Sequence, residues 1–428
     1  LKTLVLRDLT VQFEKLIEEA EVELKDAFTR IDAIALTNQK RVLDSYRQHQ
    51  ITEEYFAERT GYGIDDIGRE MIDKVFASVF QAEVAAVRVQ MVSGTHAIAC
   101  ALFGNLEPGD TMVVLTGKPY DTLEEVIGIG EQPVRGSLKS LGVKYKELSL
   151  DAGSTPAQLA EQIKAVAPAK LYHIQKSRGY SVARPTLSND DIAQLAAAVK
   201  SVDAEAIIFV DNCYGEFVED KEPVAVGADL MAGSLIKNPG GGLALTGGYV
   251  AGRKDLVEGA LLRLTAPGIG GHLGITFNQN RPILQGLFLA PSVVSQAVKG
   301  AMLVACVFKK LGLIVNPDPL APRYDIIQAV EFGDRDSLIN FCRALQSFSP
   351  VNAHVAPEPS SMPGYADQVI MAGGTFIEGA TIELSADGPL RPPYAVYLQG
   401  GLSYLHVKCA LLGSLNLSAQ GLTPFFSS

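Results

Sequence analysis

One lysine of the 428-residue chain sits where an amine can be made reactive. Lys237, in GSLIKNPGGG at residues 233–242, separates an apolar, strand-like stretch from a glycine-rich turn. Burial disfavours an ammonium, so the position is expected to lower the lysine pKa and leave a nucleophile able to form a C=N bond. Taken singly, it reads first as a solvated lysine at a loop edge, and other residues must decide otherwise. Asp211 ends the apolar run Ile207-Ile-Phe-Val210, at the carboxyl end of a buried strand, where open α/β sheets place their ligands. A carboxylate there could keep a ring nitrogen protonated. The alternative is a turn or cap aspartate, because Asn212, Tyr214 and Gly215 follow.

A third group is Ser93-Gly94-Thr95, which opens an apolar helical run at 97–106. Hydroxyls and backbone N–H groups at a helix start bind phosphate without any basic side chain, although the same residues also serve as ordinary caps. Ser234, just before the lysine, could add another hydroxyl. Tyr120, in GKPYDT at residues 117–122, follows a strand-like run at 112–115. Its ring could cover a planar ligand and its phenol could take part in proton transfer; taken singly, it reads equally as a packed surface-loop tyrosine.

The elements that must position these residues follow from periodicity. Residues 11–48 carry Phe13, Leu16, Ile17 and Leu24 at helical spacing between charges, which predicts amphipathic helices. Met71, Ile72, Val75, Phe76, Val79 and Phe80 predict a helix over 68–81. From there to about residue 252, strand-like runs at 84–89, 112–115, 170–174 and 207–211 alternate with helical stretches, the pattern of a mostly parallel sheet covered on both faces. Thr155 with Pro156, and Ser188 with Asp191, mark two helix starts. A long apolar helix over 292–311, a strand at 325–331, a helix at 335–346 and β-rich runs at 369–376 and 381–384 predict a second, smaller α/β domain. The expected organisation is an N-terminal helical segment at 1–60, a large domain at 61–290 and a small C-terminal domain at 291–428.

In chain order, SGTHA, GKPYDT, VDNCYGEF and GSLIKNPGGG follow the arrangement of pyridoxal-phosphate enzymes of the aspartate-aminotransferase fold. More narrowly, the chain resembles the methionine γ-lyase-like relatives of the cystathionine β/γ-lyases known as aluminium-resistance proteins. The resemblance runs nearly end to end and includes GYGIDDIGRE near residue 61 and GGTFIEGATIELSADGPLRPPYAVYLQGGLSY near residue 373. It implies an α/β, fold type I architecture, with a mostly parallel sheet in the large domain and a smaller C-terminal α/β domain. It also implies pyridoxal 5'-phosphate covalently bound to Lys237, Asp211 on the pyridine nitrogen, Ser93, Gly94, Thr95 and Ser234 on the phosphate, and Tyr120 stacked on the ring. Arg391, in GPLRPPY, is the candidate for a substrate carboxylate, because a guanidinium offers bidentate geometry.

The implied activity is a carbon–sulfur lyase of the cystathionine β-lyase or methionine γ-lyase type, giving a 2-oxo acid, ammonia and a thiol. An aminotransferase, or a non-catalytic protein of the same fold linked to metal tolerance, stands as the alternative. Fold type I sites commonly lie at a subunit interface, so a homodimer or homotetramer is implied. Two departures from the cystathionine-lyase pattern bear on this. Tyr62 in GYGIDD has no arginine two residues later, leaving open whether a neighbouring subunit reaches the phosphate through it. The lysine segment reads SLIKN where those relatives place a threonine before the lysine.

Rival chemistries find little support. Gly240 and Gly242 lack the third glycine of a dinucleotide fingerprint, since residue 245 is leucine, and the glycines are expected instead to let the chain pass close to a cofactor. Six histidines show no metal-ligand spacing and the five cysteines no CxxC, so no metal site is expected. His96 is a second candidate for stacking on the ring, and His272 for lining the site. The net charge of −11 lacks the basic excess of a nucleic-acid-binding protein, so the expected partner is a small amino-acid substrate. The apolar run at 300–308 is too short to span a bilayer, and Lys2, Arg7 and Asp8 interrupt the amino end where a secretory signal would be apolar. A cytoplasmic protein without membrane association is the expectation.

Overall fold

The computed structural model describes residues 2–130, 134–150, 153–182, 184–362, 365 and 367–425, with side chains from residue 11 onward. The first ten side chains, on which the reading of the amino end rests, lie outside that set. The chain divides into two bodies: residues 38–179 with 183–289, and residues 1–37 with 180–182 and 290–428. Two long helices, α1 (Lys2–Gln48) and α8 (Asn280–Lys310), contribute residues to both.

In the larger body, α2 (Ile67–Phe80) leads into β1 (Val84–Arg88), followed by α3 (Gly94–Asn105), β2 (Thr111–Val114), α4 (Asp121–Ile127), β3 (Lys144–Glu147), α5 (Pro156–Lys164), β4 (Leu171–Gln175), α6 (Asn189–Val202), β5 (Ile207–Asp211), β6 (Leu230–Ser234), β7 (Gly248–Gly252) and α7 (Lys254–Leu264). The strands form one sheet in the order β1-β7-β6-β5-β4-β2-β3. Strands β3, β2, β4, β5 and β6 run parallel; β7 is antiparallel to both of its neighbours. Every residue of β4, β5, β6 and β7 is buried, as expected of strands covered on both faces.

Local chemistry explains the helix starts. Thr155 and Ser188 both form full capping boxes, with Gln158 and Asp191, and Pro156 occupies the first helical position of α5. The sheet is wider than the sequence pattern predicts: β7 (GYVAG) is not among the expected runs, and β3 reads KYKE and is almost entirely exposed at the edge, so it carries no apolar signal.

The smaller body holds β8 (Ile314–Asn316), β9 (Ile327–Glu331), α9 (Arg335–Gln346), β10 (Val369–Ala372), β11 (Ser385–Pro389), β12 (Ala395–Gln399) and α10 (Tyr404–Ala419), its strands in the antiparallel order β10-β11-β12-β9-β8. The β-rich run expected at 381–384 is instead a turn, pinned because the Glu383 carboxylate accepts from the N–H groups of Phe376 and Ile377. The strand follows it at Ser385–Pro389, whose small residues are all buried and therefore show no alternation. Phe308, Phe332, Phe425 and Phe341 of α9 pack edge to face or stacked, with centroids 5.0–6.4 Å apart.

Residues 11–48 lie on one continuous helix rather than several. Helix α8 begins at Asn280, before the expected start, and runs through Pro291; one 18-residue window of it is long and apolar enough to cross a membrane by length and composition, yet 72% of that window is buried inside the protein. That burial is what a core helix requires.

Candidate active site

The residues singled out in the larger body meet at the carboxyl end of its parallel strands. Asp211 is the last residue of β5 and is buried, with Oδ1 accepting from the Cys213 N–H at 3.1 Å. Ser234 is the last residue of β6. Lys237 lies three residues on, half-buried, where the chain turns into the glycine-rich segment. Ser93 caps α3, its Oγ accepting from the His96 N–H at 3.1 Å.

Gly94 shows how closely these pieces approach. A Cβ there would stand 3.1 Å from both Cys213 Sγ and Ser234 Cβ, so only glycine lets the first turn of α3 rest against the ends of β5 and β6 without displacement. Thr95 Oγ1 lies 3.0 Å from Tyr120 Oη and 3.4 Å from Thr122 Oγ1. The Tyr120 loop is therefore tied to the same helix start, and the Tyr120 N–H donates to Gln175 Oε1 at 3.0 Å. Ser93, Gly94, Thr95, Tyr120, Asp211, Ser234 and Lys237 thus surround one locus.

The electrostatics differ from the sequence expectation at the lysine. Burial does push the Lys237 ammonium down, but Cys213, Tyr214, Asp211 and Tyr120 pull the other way and hold it above its ordinary value. Its Nζ stands 3.7 Å from the centroid of the Tyr214 ring. The expected lowering fails because the lysine is surrounded by acidic and aromatic groups rather than by hydrocarbon alone. Burial raises the Asp211 carboxyl, with Lys237 opposing that rise, and burial likewise raises the Tyr120 phenol, so Tyr120 stays protonated at neutral pH.

Several residues the sequence reading passed over complete the surroundings. Asn238, directly after the lysine, donates to the carbonyls of Tyr214 and Glu216 at 3.0 and 2.9 Å. Glu216 is fully buried and accepts from Tyr249 Oη at 2.8 Å. Gln175 pairs in register with Asp211 on the neighbouring strand, and the strand-end rule that singled out Asp211 would have found it. Arg184 donates to the Lys118 carbonyl and steadies the Tyr120 loop.

The remaining candidates have partners of their own. Arg391 belongs to the smaller body, where its guanidinium pairs with Asp367 Oδ2 at 3.1 Å and donates to the Tyr180 carbonyl at 3.3 Å. His96 Nδ1 accepts from the Val92 N–H at 3.2 Å, and the His272 carbonyl accepts from buried Arg69. Tyr62 is exposed in a turn, with its carbonyl accepting from Gly274 N–H at 2.9 Å. Gly240 answers to packing: a Cβ there would stand 1.8 Å from the Leu235 carbonyl oxygen, and one at Gly286 of α8 would stand 2.1 Å from the Gly240 carbonyl oxygen, while Gly241 and Gly242 answer to a left-handed backbone, φ +52° and +76°. Among the described residues no cluster of three or more His, Cys, Asp or Glu could hold a metal ion.

The methionine gamma-lyase family pattern matches residues 13–418. The chain belongs to that family. The Bacillus subtilis protein YnbB, itself uncharacterized, is 49% identical over 407 residues, covering 95% of this chain and 96% of YnbB. A crystal structure of a carbon-sulfur lyase involved in aluminum resistance from Clostridium novyi is 46% identical with a TM-score of 0.90, covering 97% of this chain and 98% of the other. At 17% identity, the pyridoxal-5'-phosphate-dependent protein YhfS from Escherichia coli shares the fold, with a TM-score of 0.61 over 90% of this chain and 96% of YhfS. The architecture is therefore fold type I, and the family implies pyridoxal phosphate.

The residues present fit that cofactor. A phosphate takes hydroxyls and first-turn amides, which Ser93, Gly94, Thr95 and Ser234 bring together. A protonated ring nitrogen takes a buried carboxyl, which Asp211 supplies, and an aldehyde takes a primary amine, which Lys237 supplies.

Proposed function

We propose that this methionine gamma-lyase family member is a pyridoxal-phosphate-dependent carbon–sulfur lyase acting on a sulfur-containing amino acid of the cystathionine or methionine type, releasing a 2-oxo acid, ammonia and a thiol. The observation that carries the reading is the Gly94 contact, which brings the helix-start hydroxyls against Ser234 and Cys213, beside Asp211 and Lys237. When bound, pyridoxal phosphate supplies an electron sink for the pair left on the substrate carbon. Lys237 would hold the cofactor covalently and, with its amine free, would take the Cα proton on Nζ. Asp211 would keep the ring nitrogen protonated. Ser93, Thr95 and Ser234 would offer hydroxyl hydrogen bonds to the phosphate, together with the Gly94 and Thr95 amides. Tyr120, its Oη hydrogen-bonded to Thr95, is the proton carrier for the departing thiol.

A small-molecule substrate, a cytoplasmic setting and a homodimer or homotetramer belong to the same proposal. Exposed Tyr62, Ile64 and Phe277, which are 73%, 61% and 61% accessible, support a partner subunit on the larger body. The test is 2-oxo acid and thiol release from a panel of cystathionine, methionine and cysteine, with wild type and Lys237→Ala. Release of both products by wild type and neither by the variant is expected. Transfer of the amino group to an added 2-oxo acid without thiol release would assign an aminotransferase, and no product from any substrate would remove the enzyme.

A further inference from the structure

Tyr214 meets the reactive amine with a ring face. The 3.7 Å between Lys237 Nζ and the Tyr214 ring centroid is well inside the ~6 Å over which an aromatic face attracts a cation. Tyr214 also adopts a left-handed backbone, φ +73°, which a bulky residue keeps only where its surroundings enforce it. The enforcement comes from the residue after the lysine. Buried Asn238 donates its side-chain amide to the carbonyls of both Tyr214 and Glu216. Gly215, between them, has no room for a side chain, since a Cβ would stand 2.8 Å from Asn212 Oδ1 and from Lys176 Cδ. Ring and amine are thereby registered to each other through one asparagine.

We propose that Tyr214 is a positioning residue whose ring face holds Lys237 as an ammonium in the cofactor-free chain, keeping the amine in place and unreactive until the aldehyde arrives. This rests on the reading of Lys237 as the cofactor lysine. The other titratable groups that act on the amine are Cys213, Asp211, Tyr120 and Glu216. Burial raises both the Cys213 thiol and the Tyr120 phenol, and the Tyr214 ring face meets the cation from a separate direction set by the backbone turn. Attachment then requires release from the ring: Nζ gives one proton to water, its lone pair bonds the aldehyde carbon, and the aldehyde oxygen leaves as one water carrying the two remaining Nζ protons.

The test is competitive labelling of the full-length, cofactor-free chain with acetic anhydride across pH, read at the Lys237 peptide by mass spectrometry. Three variants are compared with wild type: Tyr214→Phe keeps the ring, Tyr214→Asn keeps a residue tolerant of the left-handed backbone but removes it, and Asn238→Ala loosens the register. Tyr214→Phe is expected to track wild type, Tyr214→Asn to lower the labelling midpoint by about one pH unit, or about tenfold faster labelling at neutral pH, and Asn238→Ala to shift in the same direction by less. A Tyr214→Asn or Asn238→Ala profile coincident with wild type overturns the proposal. So does a Tyr214→Phe profile that moves as far as Tyr214→Asn, which would assign the effect to the phenol oxygen. The labelling uses neither cofactor nor substrate, so its failure is distinct from failure of cofactor binding, which is scored separately by absorbance.

Discussion

Replacing Glu216 by glutamine should make the protein progressively more resistant to unfolding, relative to wild type, as the pH rises. Glu216 is fully buried; Oε1 accepts from Tyr249 Oη, and Oε2 has no hydrogen-bond partner. Burial pushes this carboxyl up from 4.5 to about 8. A group whose folded pKa is raised contributes stability that is fully present below its unfolded value and lost as the pH climbs through the folded one. Here the window runs from about 4.5 to 8. At about 1.36 kcal/mol per pH unit, wild type forfeits about 3 kcal/mol by pH 7 and about 5 kcal/mol by pH 9 from this one group, an upper bound because the buried site can relax. Glutamine has no proton to lose in this range, and its Oε1 can still accept from Tyr249. Urea unfolding of both proteins from pH 5 to pH 9 should show the stability gap widening by several kcal/mol in favour of the variant. A gap that stays constant across that range would show that the carboxyl is already ionised and compensated in the folded protein, and the account of this buried network would be wrong.

The acid side has a counterpart in His173, buried on β4 against Phe209 with neither ring nitrogen hydrogen-bonded, its pKa pushed down to about 3 by burial and then by Arg184. A lowered folded pKa means stability present above about 6.5 and lost as the pH falls towards 3, so His173→Leu should unfold less readily than wild type at pH 4 relative to pH 7, by up to about 3 kcal/mol; parallel acid profiles would refute this. Gly94→Ala sets a methyl 3.1 Å from Cys213 Sγ and Ser234 Cβ, and should weaken pyridoxal-phosphate binding by about tenfold or more in an absorbance titration while the far-ultraviolet spectrum is kept. Unchanged affinity would separate the helix start from the phosphate site.

What the sequence revealed of this molecule was what burial and capping write into residue type. The run Ile207-Ile-Phe-Val210 is apolar because β5 is covered on both faces, and Asp211 breaks it because the strand ends there. Thr155 and Ser188 announce helices because an N-cap hydroxyl and a carboxylate or amide three residues later satisfy the same backbone groups. Strand β3 stayed hidden because a polar edge strand looks like any exposed segment, and β11 because SADGP is buried through smallness. At the site, the hydroxyls, the carboxylate and the lysine were legible as chemical types at the ends of elements. The reversed sign at Lys237 was not, since it depends on Cys213, Tyr214, Asp211 and Tyr120 being gathered around one amine, and the Tyr214 contact among them is set by a left-handed turn and by the Asn238 side chain.

The central claim is that Lys237 is the residue that takes the cofactor. The most direct measurement is borohydride reduction of the pyridoxal-phosphate-loaded protein, followed by proteolysis and mass mapping of the modified peptide. The account predicts a single phosphopyridoxyl group on the peptide containing Lys237, lost in Lys237→Ala. A label on another lysine, or none on a protein that nevertheless binds the cofactor, would contradict it.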